Sequence, residues 1–333
     1  MKKHKWSAIG IGTKNQKEEW LEVFYPKELL NLDSKVVQEI CSFVEEQRSN
    51  SLIDLNEDLI NKIKSIDLKS YIKEKSKLVF IALKDDSNIE SVPEAYLKLH
   101  LLSYREVKPN SINLSNLFSV LPTVAWTSEG PIDPKELPNI LRDRRVAGKT
   151  IHVYSLDKFP SLTDYIIPAG VRIADSSRIR LGAYIGEGTT IMHEGMVNFN
   201  AGTLGESMVE GRIAQGVIVE EGSDIGGGAS TLGTLSGGNE VVISVGKDCL
   251  LGANSGLGIA LGDRCIIESG LYLTSASKVE IINDKNDILD TVKAEELSLK
   301  PDLLFIRNSL TGSIQCKTRK KEVNLNEELH SNN

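Results

Sequence analysis

The chain has 333 residues, 40% hydrophobic and 26% charged, with a formal net charge of −7. This length admits two domains, and the composition is that of an ordinary soluble protein. The acidic balance argues against a nucleic-acid binder, which needs a concentrated basic face, and no apolar run approaches the ~20 residues of a membrane helix.

The N-terminus, Met1-Lys2-Lys3-His4-Lys5-Trp6, is basic but has no apolar core behind it, so a secretory signal is not expected. Residues 1–165 read as an α/β domain. Asp33-Ser34 followed by Val36, Val37, Ile40, Cys41 and Val44 predicts a capped amphipathic helix. Ser91 with Glu94 predicts a capping box opening a helix whose Leu97, Leu101 and Tyr104 share a face. Strands are expected at Leu78–Leu83, Thr123–Trp126 and Thr150–Tyr154, which are rich in β-branched and aromatic residues. Gly10 and Gly12 lack the third glycine and the following helix signal of a phosphate loop.

Residues 166–282 carry a repeat. Ile167, Ile173, Ile179, Ile185, Ile191, Val197, Thr203 and Val209 fall six apart, and the register returns at Ile213, Val219 and Ile225, at Val245, Leu251 and Leu257, and at Leu261, Ile267, Leu273 and Val279. A period of six fits neither a helix nor plain strand alternation. It fits a hexapeptide β-helix, in which each unit is a short strand plus a turn. Glycine follows many register positions (Gly186, Gly226, Gly246, Gly252, Gly258, Gly262), as a corner needing φ > 0 or close backbone approach demands. The register breaks between Val209 and Ile213 and between Leu257 and Leu261, and Thr231–Ser244 reads as a loop ejected from the prism.

Residues 283–333 read as a small C-terminal domain. It has a short helix over Asp290–Leu299, an apolar run at Leu303–Ile306, a closing strand near Ser313–Cys316 and a loose polar end after Lys321. Across the chain, Cys41, Cys249, Cys265 and Cys316 form no CxxC pair. They read as free thiols in a reducing cytoplasm.

Chemistry belongs at departures from the repeat. Glu210 and Arg212 flank the first break and, one apart, would point the same way in a strand. They read either as an oriented carboxylate–guanidinium pair or as a solvated surface pair. His193 is the only histidine inside the repeat. It could be a general base or a packed or surface imidazole, and one histidine does not make a hydrolytic zinc site. Gly226-Gly227-Gly228 offers bare N–H groups suited to a carbonyl or phosphate, or simply to a turn.

Five strings in order are more specific: Thr190–Gly195 (TIMHEG), Asn198–Gly205 (NFNAGTLG), Met208–Arg212 (MVEGR), Gly226–Ser230 (GGGAS) and Leu251–Gly258 (LGANSGLG). Together they resemble tetrahydrodipicolinate N-succinyltransferases, in the branch best known from actinobacteria, over about Asp157 to Ser309. The N-terminal 150 residues match only in general character. The resemblance implies a homotrimer of left-handed parallel β-helices with active sites between neighbouring prisms. It implies transfer of a succinyl group from succinyl-CoA to tetrahydrodipicolinate, on the diaminopimelate route to lysine. It makes Glu210 the catalytic carboxylate, either as nucleophile or as base, and Arg212 a substrate and cofactor contact. It places Gly227 and Ser230 at the thioester, and Ala253, Glu268, Ser269 and Ala276 along the cofactor channel. Arg307, Asn308 and Ser309 fall in a tail segment closing on coenzyme A.

The resemblance also implies a magnesium site near a three-fold axis. Glu194 matches its glutamate, but Ser177 stands at its aspartate position, with Asp175 two residues earlier. Serine is a poor magnesium ligand, so a metal there would be structural and built from three copies of Glu194. The reading is therefore a cytoplasmic acyltransferase that binds neither nucleic acid nor membrane. Its alternatives are an acetyl-CoA-dependent enzyme on the same acceptor and a non-catalytic trimeric scaffold.

Overall fold

The computed structural model describes residues 4–43, 50–71, 77–233 and 242–318. Val44, the tip of the expected ejected loop (234–241) and the chain beyond Thr318 lie outside them. The chain packs as two units: Met1–Tyr104 with Ser111–Pro160, and Arg105–Asn110 with Ser161–Asn333.

The first unit is built on an antiparallel sheet of β1 (Trp6–Lys14), β2 (Trp20–Phe24), β3 (Asn50–Leu55) and β4 (Lys77–Leu83), ordered β2-β1-β4-β3. Leu78, Phe80 and Ala82 of β4 join a buried cluster with Val36, Val37 and Ile40 of helix α1 (Ser34–Ser42) and Ile60 of α2 (Glu57–Lys62). Val79, Ile81 and Leu83 have the opposite parity and are also buried, so both faces of the sheet are covered. Gly10 and Gly12 lie inside β1 rather than in a loop. A Cβ on Gly10 would collide with Val23 and Tyr25, and one on Gly12 with Trp20.

Helix α3 (Val92–Ser103) is buried on every side except at its first residue. Ser91 caps it by accepting the Glu94 N–H at 3.3 Å, but the capping box is displaced by one residue. The Glu94 carboxylate accepts from Glu90 N–H at 3.1 Å. After the short helix α4 (Leu117–Val120), a small sheet of β5 (Val124–Thr127), β6 (Gly130–Ile132) and β7 (Val153–Asp157) is ordered β6-β5-β7, with α5 (Leu137–Val146) between β6 and β7 in sequence. The last strand begins three residues after the expected Thr150. Pairing decides this: Val124 meets Asp157 and Thr127 meets Val153 across the ladder.

The second unit is a three-sided parallel coil. On its first face Ile173, Ile191, Val209, Ile225, Leu251, Ile267 and Phe305 stand in register. On the second, Val197 pairs with Ile213, and Thr231 with Leu257 and then Leu273. On the third, Ile185, Thr203, Val219 and Val245 align. All are essentially buried except Ile173. Burying each aliphatic stabilises by about 1.5–3 kcal/mol, but only once the next coil covers it. The two threonines in this interior are satisfied. Thr203 Oγ1 meets Thr189 Oγ1 at 2.7 Å, and Thr231 Oγ1 accepts from Ala214 N–H at 3.0 Å.

One register residue departs from expectation. Ile167 is 80% exposed, while Ile166 is buried. The prism's first strand is Arg172–Ile173, and Ile166 instead closes the turn begun at Leu162, donating to its carbonyl at 2.8 Å. The corners separate two demands on glycine. Positive φ falls three residues after a register position, at Gly182, Gly188, Asn200, Gly216, Gly222, Gly228, Asp248, Asn254, Arg264 and Gly270. The expected glycines one residue after the register lie outside that region, and Cβ atoms there would strike backbone of the next coil.

The tail continues the first face. Leu303–Arg307 pairs in parallel with Ile266–Ile267 and antiparallel with Ile314–Thr318, which lies beside Lys278–Ile282. The helix expected over Asp290–Leu299 is absent. Ile288–Lys293 is a strand paired with Lys278–Ile282, and only Ala294–Leu297 forms a 3-10 turn. The ladder partner overrides the local helix preference.

Candidate active site

The edge between the first and second faces gathers most of the singled-out residues. Ordinary corners there have room for five residues between register positions six apart, but between Val209 and Ile213 only Glu210, Gly211 and Arg212 remain. The turn is drawn tight, and both Glu210 and Gly211 donate to the Ile225 carbonyl, at 2.8 and 3.1 Å. Gly211 is required there, because a Cβ would collide with the Ala229 and Gly226 carbonyls. Glu210 thus projects from the corner and not from a strand. For that reason it does not share a strand face with Arg212, and no ion pair joins them among the described residues. The exposed Arg212 lies instead along the second face, its Nε 3.5 Å from Ser230 Oγ.

One coil on, Gly226-Gly227-Gly228 leaves the space beside Glu210 open. An added Cβ on Gly227 would lie 3.3 Å from Glu210 Oε2. The Gly227 carbonyl accepts from Asn254 N–H at 2.8 Å, while the Gly227 N–H has no partner among the described residues. The Ala253–Asn254 corner follows, then Glu268–Ser269, linked by Gly270 N–H to the Ala253 carbonyl at 2.8 Å. Glu268 accepts from the Arg307 N–H at 2.6 Å, which ties the tail strand to the same edge. At about 4.8 Å per coil, four steps carry the edge about 19 Å from Glu210 to Arg307. Beyond it a tight turn is held by Asn308 Oδ1, which accepts from Leu310 and Thr311 N–H, and by Arg307 Nη1, which donates to the Gly312 carbonyl at 2.9 Å. Ser309 is exposed in that turn.

Ala276 stands apart. It follows the second-face strand Tyr272–Thr274, across that face from the Glu210 edge. His193 and Glu194 occupy the same edge one coil before Glu210, both exposed. The Asp175 carboxyl is held below the usual carboxylate range, chiefly by the Ser177 hydroxyl, with smaller help from Arg178 and His193.

The metal expectation meets a poor donor set. Ser177 spends both its hydroxyl and its N–H on Asp175, at 2.6 and 3.0 Å. Arg178 places a guanidinium against the Glu194 carbonyl at 2.8 Å. No group of three or more metal-ligating side chains occurs among the described residues. These residues do not fit a magnesium site within one chain.

A three-sided parallel coil of hexapeptide units, with a carboxylate at a shortened corner facing bare backbone, defines a hexapeptide-repeat transferase. The model of the hexapeptide repeat of succinyl-transferase matches residues 242–275. The tetrahydrodipicolinate N-succinyltransferase N-terminal and middle models match residues 8–119 and 121–161. A 2,3,4,5-tetrahydropyridine-2,6-dicarboxylate N-succinyltransferase of Pseudomonas aeruginosa is 51% identical, covering 98% of each chain. The protein of that name from Vibrio cholerae is 47% identical over 98% of this chain and 99% of its own. A solved structure from Campylobacter jejuni, assigned as a 2,3,4,5-tetrahydropyridine-2-carboxylate N-succinyltransferase, superposes with a TM-score of 0.87. It is 34% identical and covers 96% of this chain and 94% of its own. The chain belongs to the tetrahydrodipicolinate N-succinyltransferase family, and its coil is the left-handed parallel β-helix of that family. The kinship spans nearly the whole chain, including the N-terminal unit, where the sequence motifs had carried only general likeness.

Proposed function

We propose that this chain is an N-succinyltransferase that moves the succinyl group of succinyl-CoA to the nitrogen of tetrahydrodipicolinate, with Glu210 as its catalytic carboxylate. The supporting observation is the meeting of Glu210 Oε2 with the open Gly227 backbone. A thioester set there would direct its carbonyl oxygen at the unspent Gly227 N–H, which stabilises the developing oxyanion. Its carbonyl carbon would face the carboxylate.

Two routes use this arrangement. In the first, Glu210 adds to the thioester carbon and the coenzyme A thiolate departs. The acceptor nitrogen then attacks the resulting anhydride and the Glu210 carboxylate leaves. In the second, Glu210 takes the proton from the amine nitrogen as it attacks the thioester directly and the coenzyme A thiolate departs. On either route water first opens the cyclic imine, which carries no N–H, to the free amine. Arg212 suits a carboxylate of the acceptor or the succinyl group, and Ser230 beside it a second polar contact. Ala253, Glu268 and Ser269 would line the path of the coenzyme A arm, and Arg307, Asn308 and Ser309 its far end. Ala276 is proposed only as a contact at the far side of the second face.

The enzyme is proposed to work as a cytoplasmic homotrimer, with the Glu210 edge turned toward a neighbouring copy. Met208 and Leu250, on the outer side of the first face, are about 40% exposed in the single chain and supply apolar surface for such contact. No helix among the described residues is long and apolar enough to cross a membrane.

Thiol release from succinyl-CoA in the presence of acceptor tests the reading. The wild type turns over and Glu210→Gln, with its fold intact, does not. Near-normal turnover in Glu210→Gln would overturn the assignment. Acetyl-CoA in the same assay sets the acyl preference. Acid quenching with labelled succinyl-CoA and no acceptor labels the protein only on the anhydride route. Light scattering at about three times the 36.6 kDa chain mass checks the trimer.

A further inference from the structure

Register positions point into the prism, so the residue just before each one points outward. On the second face this rule aligns Arg212, Ser230, Gly256 and Tyr272, each paired with the next across the ladder. Arg212 and Ser230 belong to the site proposed above, whereas Gly256 and Tyr272 have had no role. The two fit each other. A Cβ on Gly256 would collide with Cδ1 and Cε1 of the Tyr272 ring. The ring therefore lies across Gly256, the one residue separating it from Ser230 in the column, and the missing side chain at 256 makes this possible.

Such a ring would ordinarily be covered or would spend its hydroxyl. Tyr272 is 51% exposed, and its hydroxyl makes no hydrogen bond among the described residues. Glu268 and Ser269 precede it on the same coil, on the edge that also carries Ala253 and Gly227. An aromatic side chain fixed on a sheet offers apolar surface at little entropic cost, with a polar tip beside it. The dicarboxylate acceptor is the natural match for Arg212. What remains for an uncharged ring and a free hydroxyl is the other reactant, whose thioester hangs on an arm of methylene and amide groups.

We infer that Tyr272, seated in the notch of Gly256, is a binding residue for the pantetheine arm of the acyl-coenzyme A. The inference rests on the assignment of the Glu210 edge as the acyl-transfer site.

Steady-state kinetics on the full-length protein test it, with each substrate varied while the other saturates. Tyr272→Ala should raise KM for succinyl-CoA about tenfold, the loss of one good aromatic contact. The acceptor KM and kcat should stay within about twofold, because uniform binding is removed and not transition-state stabilisation. Tyr272→Phe keeps the ring and should restore most of the affinity. Gly256→Ala keeps the tyrosine but displaces its ring, and should reproduce the Tyr272→Ala phenotype. Should Tyr272→Ala fail to fold, Tyr272→Leu replaces it.

An unchanged KM for succinyl-CoA in the folded alanine or leucine variant overturns the inference. So does an equal rise in acceptor KM, or a neutral Gly256→Ala. Thermal shift with coenzyme A alone separates this inference from the one beneath it. If the wild type bound coenzyme A but transferred no succinyl group, the activity assignment would fail. Tyr272→Ala would still have to diminish the coenzyme A-induced shift.

Discussion

Glu210 Oε2 lies against the bare backbone of Gly227, 3.3 Å from where a Cβ on residue 227 would stand. Two consecutive departures from the hexapeptide rule create this contact. The shortened corner pushes Glu210 outward, and the glycine run one coil later leaves nothing in front of it. Gly227→Ala tests the consequence. Gly227 is not in the left-handed region, so alanine suits its backbone, while the new Cβ would lie 3.3 Å from the carboxylate. We expect transfer activity to fall about 10²-fold, because the methyl crowds the thioester away from the retained 227 N–H and so forfeits an oxyanion contact, with a melting temperature close to wild type. Parallel activity and circular dichroism measurements check both halves, and a fully active Gly227→Ala would show that the space is unused.

The site was legible because it is an error in a pattern. Six-residue spacing located the inward positions from Ile173 to Val279, and the break at Val209–Ile213 singled out Glu210. The pattern failed where the prism had not yet begun, at Ile167, and where tail strands pair with one another. Residues 288–293 resemble a helix until their partner strand at 278–282 is known. A pairing of Arg212 with Glu210, one of the two readings their spacing allows, needs a continuous strand, which the tight corner removes. Tyr272 could have been found by subtracting one from each register position. The N-terminal sheet was harder to read, because Gly10 and Gly12 within β1 serve side chains on β2 and beyond, and no local period signals such packing.

Ser255 offers a test of the prism interior. It is fully buried at the corner before Gly256, and its Oγ has no hydrogen-bond partner in the structure. A buried hydroxyl without a partner costs about 1–3 kcal/mol of desolvation, and removing it recovers part of that. Ser255→Ala should be neutral or stabilising by up to about 1 kcal/mol. A denaturant midpoint shifted downward would refute it.

In the N-terminal unit, Lys98 is entirely buried on α3. Its ammonium donates to the Ser87 and Asn113 carbonyls at 2.7 and 2.9 Å, and stands 3.0 Å from Asp86 and 3.4 Å from Glu94. With two of its three protons on carbonyls, one remains for two carboxylates. Lys98→Met should destabilise by about 3–5 kcal/mol, because the buried Glu94 loses its counter-charge and Asp86 keeps only the more exposed Lys5, 3.6 Å away. Adding Asp86→Asn and Glu94→Gln should recover a substantial part, as a chemical denaturation series would reveal. Equal stability of the single and triple variants would mean that the charges are not coupled.

His100, also on α3, makes the unit sensitive to acid. Its Nδ1 is 2.7 Å from the Tyr96 carbonyl and its Nε2 accepts from the Tyr25 N–H at 3.2 Å. The ring is therefore neutral, with its proton on Nδ1. Burial pushes its pKa down from 6.5 to about 4, against a smaller opposing contribution from the Tyr96 carbonyl. Between these values the unfolded chain holds a proton that the folded chain does not. Stability from this group is therefore complete above about pH 6.5 and is lost as pH falls toward about 4. At pH 5 the loss is about 2 kcal/mol, since each pKa unit is worth about 1.4 kcal/mol. His100→Gln has no charge to acquire. The variant is expected to be less stable at pH 7, where it forfeits a fitted ring, yet to lose about 2 kcal/mol less than the wild type between pH 7 and pH 5. Because the carboxylates of the two proteins titrate alike, the difference between their two pH slopes isolates His100. Identical slopes in urea denaturation at the two pH values would place the acid sensitivity elsewhere.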